Sequence, residues 1–204
     1  MPLRCFGVCL SPVLFPLEAV CPSCQQTMDV FGDHAICCTS GGDLITRHNR
    51  VRNLVGKLCE EAKLSPVLEK VGILGHKDLS KRRPGDVTIP LWSKGRGLAI
   101  DVSVICPLAI SHLSQREPCE SYASSKKHAL YDAAFQQQSD FDFAAVVFET
   151  SGAVNAEGQN FLSRLFHFGS KRESTTHSVY AGRAWQRLSS SVQVGCGRMI
   201  LSRG

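Results

Sequence analysis

Long apolar stretches are scarce in this sequence of 204 residues. The most apolar stretch, from Cys5 to Val20, is interrupted by Pro12 and Pro16 and contains Glu18 near its end. It is too short for a transmembrane helix, which needs roughly 20 apolar residues, and it lacks the cleavage region of a secretory signal peptide. We therefore expect an intracellular protein with no membrane partner.

A strong charge of either sign is also absent, because 23 lysines and arginines face 18 aspartates and glutamates. The net charge of +5 is compatible with a nucleic-acid partner without requiring one. Basic residues do cluster: Arg82 and Arg83 precede a predicted strand, and Lys94 and Arg96 lie in the turn that follows it. These four residues are candidate DNA contacts, or they belong to a solvated loop.

The ten cysteines raise the alternative of a disulfide scaffold. The chain is too long and too helix-rich for that class of protein. Cys59, Cys106 and Cys196 lie singly among apolar residues, where a reduced thiol behaves as a small hydrophobic group. We therefore expect the cysteines to be reduced.

Two apolar, β-branched segments each contain one aspartate, Asp86 in residues 83–89 and Asp101 in residues 98–104. Burying a carboxylate in such a strand is costly unless it is paired or bound to a cation. A Gly-rich turn at residues 93–97 would bring the two strands together as a hairpin. Mg²⁺ and Mn²⁺ prefer oxygen ligands, so the pair predicts a divalent-cation site of the kind found in metal-dependent nucleases.

Hydrophobic periodicity predicts an α/β protein. The predicted elements are a helix from residue 47, strands at 65–71, 83–89, 98–104 and 141–150, and helices at 119–137, 156–166 and 179–194. Gly195 and Gly197 are expected to end the last helix. We divide the chain into a truncated N-terminal segment (1–20), a knuckle (21–48), an αβββαβ core (49–168) and a linker with a C-terminal helix (169–204).

The knuckle is dense in cysteine and histidine. Cys21, Cys24, His34 and Cys38 supply four soft ligands at spacings that suit a tetrahedral, structural Zn²⁺ site. Cys37 and His48 are rivals for the fourth position. Without zinc, the adjacent cysteines would be buried thiols and His34 a surface residue.

The ordered motifs resemble a known family. They are Cys21-x2-Cys24, Gly32-Asp33-His34-Ala35, Arg47-His48-Asn49, Arg83-Pro84-x-Asp86, Asp101-Val102-x-Val104 and Glu149-Thr150-x-Gly152. This series is similar to the C-terminal region of non-LTR retrotransposon polyproteins, over about residues 20–167. There a CCHC zinc knuckle and an Arg-His-(Asn/Asp) motif precede a restriction-like endonuclease of the PD-(D/E)XK superfamily. The resemblance implies that fold and a metal-dependent DNA endonuclease that nicks duplex DNA.

Carried onto this sequence, the resemblance makes Asp86 and Asp101 the acidic ligands of Mg²⁺ or Mn²⁺. Ser103 replaces the superfamily's lysine, which resembling enzymes move to the following helix. Lys127 is the better candidate for that lysine and Lys126 the weaker one, because Lys127 shares a helical stripe with Ala123, Leu130, Tyr131 and Ala134. Glu61 on the first helix and Glu149 at the end of a strand are further candidates to complete the catalytic site.

Arg47 and His48 open the first helix, where they could contact a DNA phosphate. They could equally tie the knuckle to the helix, with His48 as a zinc ligand. The expected partner is DNA, and retroelement RNA is an alternative. A homodimer is left open, and we expect a nuclear location.

Two other functions remain. One is a catalytically degenerate nucleic-acid-binding module, favoured by Ser103 and Leu130, and the other is a zinc-dependent interaction domain.

Overall fold

The computed structural model describes residues 13–74 and 84–204 and shows a mixed α/β fold. In chain order the elements are α1 (Asp33–Cys37), α2 (Asp43–Glu61), β1 (Val67–Leu68), β2 (Val87–Ser93), β3 (Arg96–Ile105), α3 (Pro118–Tyr122), a π-helical segment (Ala123–His128), α4 (Ala129–Gln138), β4 (Phe141–Glu149), α5 (Ala156–Arg172) and α6 (His177–Leu201). The α/β class predicted from periodicity is therefore confirmed. In the part of the chain that the structure describes, no helix has the length and apolar character needed to cross a membrane.

The sheet has four strands in the order β1-β2-β3-β4. The pairs β1–β2 and β2–β3 are antiparallel, whereas β3 and β4 run parallel. Strand β3 is apolar along most of its length and is buried almost throughout, as expected for a central strand with both faces covered. Strand β1 is only two residues long, shorter than predicted. Ser65 and Glu69 on either side of it have positive φ angles of 49° and 48°, which end the extended backbone.

Helices cover both faces of the sheet. Leu98, Ile100 and Val102 of β3 belong to the main core, which α2, α5 and α6 complete. The alternate residues of β3 point the other way, toward the layer formed by α3, the π-helical segment and α4. This alternation places Asp101 on the face that carries Lys127 and fixes the location of the candidate site.

The C-terminal region is more helical than the sequence predicts. Helix α5 continues to Arg172, and α6 begins at His177 and extends to Leu201, past the two glycines expected to end it. Gly195 lies where α6 crosses α2, and a Cβ there would come within 2.6 Å of Arg47 Cγ. The close approach of the two helices therefore requires a residue without a side chain at position 195. Cys196 and Met199, which follow it, are buried and favour continuation of the helix.

Candidate functional site

The two predicted aspartates lie side by side. Asp86 directly precedes β2, and the pairing of Val87 with Ile100 brings it next to the middle of β3. Its Oδ2 accepts a hydrogen bond of 2.7 Å from the backbone N–H of Val102, so the Asp86 carboxylate is held beside that of Asp101. Asp101 is only 7% exposed. The hairpin predicted from the sequence therefore places both carboxylates at one point on the sheet.

Lys127 completes this cluster from the opposing helical layer. Its Nζ lies 2.8 Å from Oδ1 of Asp101 and 5.8 Å from the ring centre of Tyr122. The hydroxyl of Ser103 donates a longer hydrogen bond of 3.4 Å to the same Asp101 oxygen. Lys126 is exposed, so Lys127 is the lysine that the structure brings to the aspartates.

A π-helical segment carries Lys127. The α-helical stripe that singled out this lysine also contains Leu130, but Leu130 is 53% exposed. A π-helical turn shifts the side chains that follow it relative to α-helical spacing, and such turns are frequent at functional sites. His128 next to Lys127 bonds to Asp132 and to Glu157, at 2.8 Å in each case, which fixes the segment against α5.

His48 enters the site from α2. Its Nε2 lies 3.2 Å from Oδ1 of Asp86, so it is neither a zinc ligand nor a free phosphate contact in this structure. Sequence reasoning missed this pairing because it depends on how α2 packs on the sheet. His48, both aspartates, Tyr122 and Lys127 line a cleft of about 310 Å³ together with Leu44, Ile45 and residues 102–104.

Opposing effects set the protonation of the cluster. Burial raises the pKa of the Asp101 carboxyl above its usual value, Asp86 raises it further, and Lys127 opposes both. Burial lowers the pKa of Lys127, but the Asp101 carboxylate outweighs burial and raises it overall. The cleft thus concentrates two acidic groups, and Lys127 offsets part of their charge.

The two glutamates do not join the cleft. Glu61 lies at the far end of α2, about 20 Å along the helix from His48, and forms a bidentate ion pair with Arg187 of α6 at 2.7 and 2.9 Å. Glu149 lies beyond Ala145, the partner of Asp101 in β4, by about 13 Å of strand. It accepts a hydrogen bond from Ser151 instead. The expectation that either one completes the cluster is not met.

The predicted DNA contacts are dispersed. Arg47 is 2% exposed and donates to the backbone carbonyls of Ile36 and Val104, so it ties the knuckle to the sheet and is not available to DNA. Arg96 bonds to Asp142 at 2.7 Å across the start of β3 and β4. Lys94 is exposed in the β2–β3 turn. Arg82 and Arg83 lie outside the described residues.

The four predicted zinc ligands converge in the knuckle. The ligand atoms of Cys21, Cys24, His34 and Cys38 all lie within 4.8 Å of one another, a geometry that could hold a metal ion. The Sγ atoms of Cys21 and Cys38 are 3.9 Å apart, and Cys24 Sγ is 3.2 Å from His34 Nε2. Two thiolates on one tetrahedral Zn²⁺ would be about 3.8 Å apart, given Zn–S bonds of about 2.3 Å.

Burial and hydrogen bonding shift the pKa values of two thiols in this cluster in opposite directions. Burial alone would raise the pKa of Cys21, but hydrogen bonds with the backbone of Ser23 and Cys24 and with the side chains of His34 and Cys24 together lower it to about 6. The backbone of Gln26 lowers the pKa of Cys24, but burial and the neighbouring thiols of Cys21 and Cys38 raise it overall. The thiolate is the form that binds metal. The Asp29 carboxylate accepts hydrogen bonds from the backbone of Asp33 and His34 and so fixes the start of α1.

Of the rivals for the fourth position, neither belongs to this cluster. Cys37 interacts with Cys106 at the end of β3, which raises the pKa of the Cys37 thiol. His48 bonds to Asp86. The structure therefore selects Cys38 for the fourth position.

Comparison with protein-family models and with curated proteins gave no match for this chain.

Proposed function

We propose that this chain is a metal-dependent DNA endonuclease domain with a restriction-like αβββαβ core, related to the C-terminal region of non-LTR retrotransposon polyproteins. One observation carries the proposal: Asp86, Asp101 and Lys127 share one cleft, with a 2.8 Å ion pair between the last two. Two carboxylates can hold a divalent cation and a lysine beside them can offset negative charge, a combination that suits metal-assisted phosphodiester hydrolysis. Duplex DNA is the proposed substrate.

The donor set suits a hard cation. Asp86 and Asp101 offer carboxylate oxygens, which Mg²⁺ and Mn²⁺ prefer, and both carboxylates line the same cleft. Burial and the neighbouring Asp86 carboxylate raise the pKa of Asp101, and a bound cation would offset this cost of ionising Asp101. Such an ion, when bound, polarises a phosphate and lowers the pKa of a water molecule.

The other groups of the cleft would position the Asp86 carboxylate and stabilise negative charge on the substrate. His48 orients Asp86 through its 3.2 Å contact, and the backbone of Val102 fixes the other carboxylate oxygen. The ammonium of Lys127 lies 2.8 Å from Asp101 in the same cleft, so it could stabilise the negative charge that develops on a phosphate bound there. His48 is thus a positioning residue and Lys127 a catalytic one.

A plasmid-nicking assay tests this function. Purified protein with Mg²⁺ or Mn²⁺ should convert supercoiled plasmid to open circles, and Asp86→Asn and Asp101→Asn should each reduce the rate at least 100-fold. Lys127→Met should have a similar effect, whereas the exposed neighbour variant Lys126→Met should retain the wild-type rate. Equal nicking by wild type and Asp101→Asn would refute the proposed site.

A catalytically degenerate DNA-binding module is the second candidate. Ser103 stands where the superfamily lysine would be, and Lys127 already forms an ion pair with Asp101. Salt-sensitive DNA binding by a folded, zinc-loaded chain that nicks no plasmid with either cation would favour this function.

We also propose that the knuckle binds one structural Zn²⁺ through Cys21, Cys24, His34 and Cys38. A closed site with four protein ligands leaves no position for substrate, so the ion stabilises the fold. The adjacent cysteines provide a matched test by elemental analysis of the purified protein. Cys38→Ser should lose zinc, and Cys37→Ser should keep one equivalent per chain. Equal zinc content in the two variants would contradict the assignment.

A further inference from the structure

A second groove, lined by both polar and apolar side chains, runs between α2 and α6. It consists of two adjoining cavities of about 760 and 640 Å³, which share Arg50 and Asn53. Arg50, Asn53 and Lys57 line it from α2, spaced three and four residues apart on one helical face. Arg183 and Arg198 line it from α6 and are separated by about 22 Å of helix.

The groove carries unbalanced positive charge. Arg50, Lys57 and Arg198 are exposed, and none of them forms an ion pair with another described residue. Asp43 is the one acidic side chain among the described residues that line the groove, and it is neutralised by Arg203 at 2.5 Å. Cations without acidic partners along a groove favour a polyanionic ligand.

The groove is separate from the Asp86–Asp101 cleft. His48 of α2 lines the cleft, whereas the groove is lined from α2 by Arg50, Asn53 and Lys57. Because an α-helix advances 100° per residue, the groove side chains point roughly 140–200° around the helix axis from His48. A ligand lying in the groove therefore does not occupy the cleft. It would instead contact the protein on another side of the same helix.

We propose that the α2–α6 groove binds the phosphodiester backbone of a nucleic-acid segment other than the one in the cleft. Besides its cations, the groove offers amide and hydroxyl groups of Asn49, Asn53, Gln186 and Ser190, which are typical phosphate-contacting groups. Leu54, Val194 and Met199 add apolar surface to the groove, so an acidic polypeptide is the competing ligand in the test below. The proposal rests on the nucleic-acid partner proposed above and not on cleavage.

Fluorescence anisotropy with a labelled 20-base-pair duplex, over a salt series and without divalent cations, tests the groove. The variant Arg50→Gln/Arg198→Gln removes two groove cations, and Lys171→Gln/Arg172→Gln removes two exposed cations at the end of α5 as the matched control. Each lost phosphate contact lowers the slope of log affinity against log salt by about 0.9, so the groove variant should lose about 1.8 from the slope and bind tens-fold more weakly at 0.1 M salt.

The control should bind like the wild type, and Arg50→Lys/Arg198→Lys should restore most of the affinity. Unlabelled single-stranded RNA and duplex DNA, used as competitors, identify which nucleic acid the groove prefers. Wild-type affinity in the groove variant, or displacement of the duplex by polyglutamate at equal charge concentration, would overturn the proposal. Nicking that depends on Asp101 alongside unchanged binding by the groove variant would refute the groove while leaving the proposed nuclease intact.

Discussion

Replacing Lys127 with methionine should destabilise the folded chain, because it leaves the Asp101 carboxylate buried without its cation. The two side chains are 19% and 10% exposed and lie 2.8 Å apart. Removing one partner of a buried ion pair costs about 3–5 kcal/mol, and the partial exposure of Lys127 favours the lower end. We therefore expect the free energy of unfolding to fall by about 3 kcal/mol.

Urea denaturation at neutral pH without added divalent cations measures this effect. In a chain of this size a loss of about 3 kcal/mol corresponds to a fall in Tm of about 6–12 °C. Lys126→Met is the matched control, since this adjacent lysine is exposed, and it should change stability by less than about 0.5 kcal/mol. Equal stabilities of the two lysine variants would refute the reasoning.

A double-mutant cycle with Asp101→Asn separates the ion pair from other effects of the methionine. If the interaction is as close as the structure shows, the double variant should lose about 2 kcal/mol less than the sum of the two single variants. Strictly additive losses would mean that Lys127 stabilises the fold through packing on Tyr122 and not through Asp101.

Three further predictions concern the scaffold. Asn155→Ala should lower the free energy of unfolding, measured in urea, by about 2–4 kcal/mol. The reason is that Asn155 is only 1% exposed and its side chain makes two hydrogen bonds to the β4 backbone. A loss below about 1 kcal/mol would contradict this prediction. Burial lowers the pKa of His128, but Asp132 and Glu157 raise it above its usual value near 6.5. The protonated form of His128 therefore stabilises the fold fully below about pH 6.5, and this contribution is lost at higher pH. The difference in unfolding free energy between wild type and His128→Gln should shrink between about pH 5.5 and about pH 8.5. A difference that grows over this range would contradict the prediction. Gly169→Ala should reduce Tm, because the added Cβ would overlap the Tyr180 ring. Gly182→Ala should raise the free energy of unfolding by about 0.5–1 kcal/mol, because the space around Gly182 is open. The reverse order of stabilities would be inconsistent with this packing.

Local sequence pattern was sufficient to predict the centre of the fold. Asp86 and Asp101 stand in β-branched runs joined by a Gly-rich turn, and a hairpin of that kind has few alternative registers. The spacing of Cys21 and Cys24 is itself a metal-binding signal, so the knuckle was predictable, whereas the choice of Cys38 over Cys37 and His48 for the fourth position came from the structure. In both cases neighbouring residues carry the information.

Features that depend on packing were not predictable. The sequence placed Glu61 on the first helix as a candidate for the catalytic site, but it could not show that this end of the helix meets Arg187 of α6. The length of α6 was underestimated because glycine signals a helix end locally, whereas Gly195 makes room for Arg47. The pairing of His48 with Asp86 likewise results from how α2 lies on the sheet.

Cation binding at the cleft tests the central claim without requiring the right DNA target. Titration of the zinc-loaded chain with Mn²⁺ by isothermal calorimetry should show a binding event that persists in Lys126→Met and disappears in Asp86→Asn and in Asp101→Asn. Both aspartate variants should retain their zinc and a cooperative unfolding transition. Mn²⁺ binding of equal affinity in wild type and Asp101→Asn would contradict the assignment of the two aspartates as the divalent-cation site.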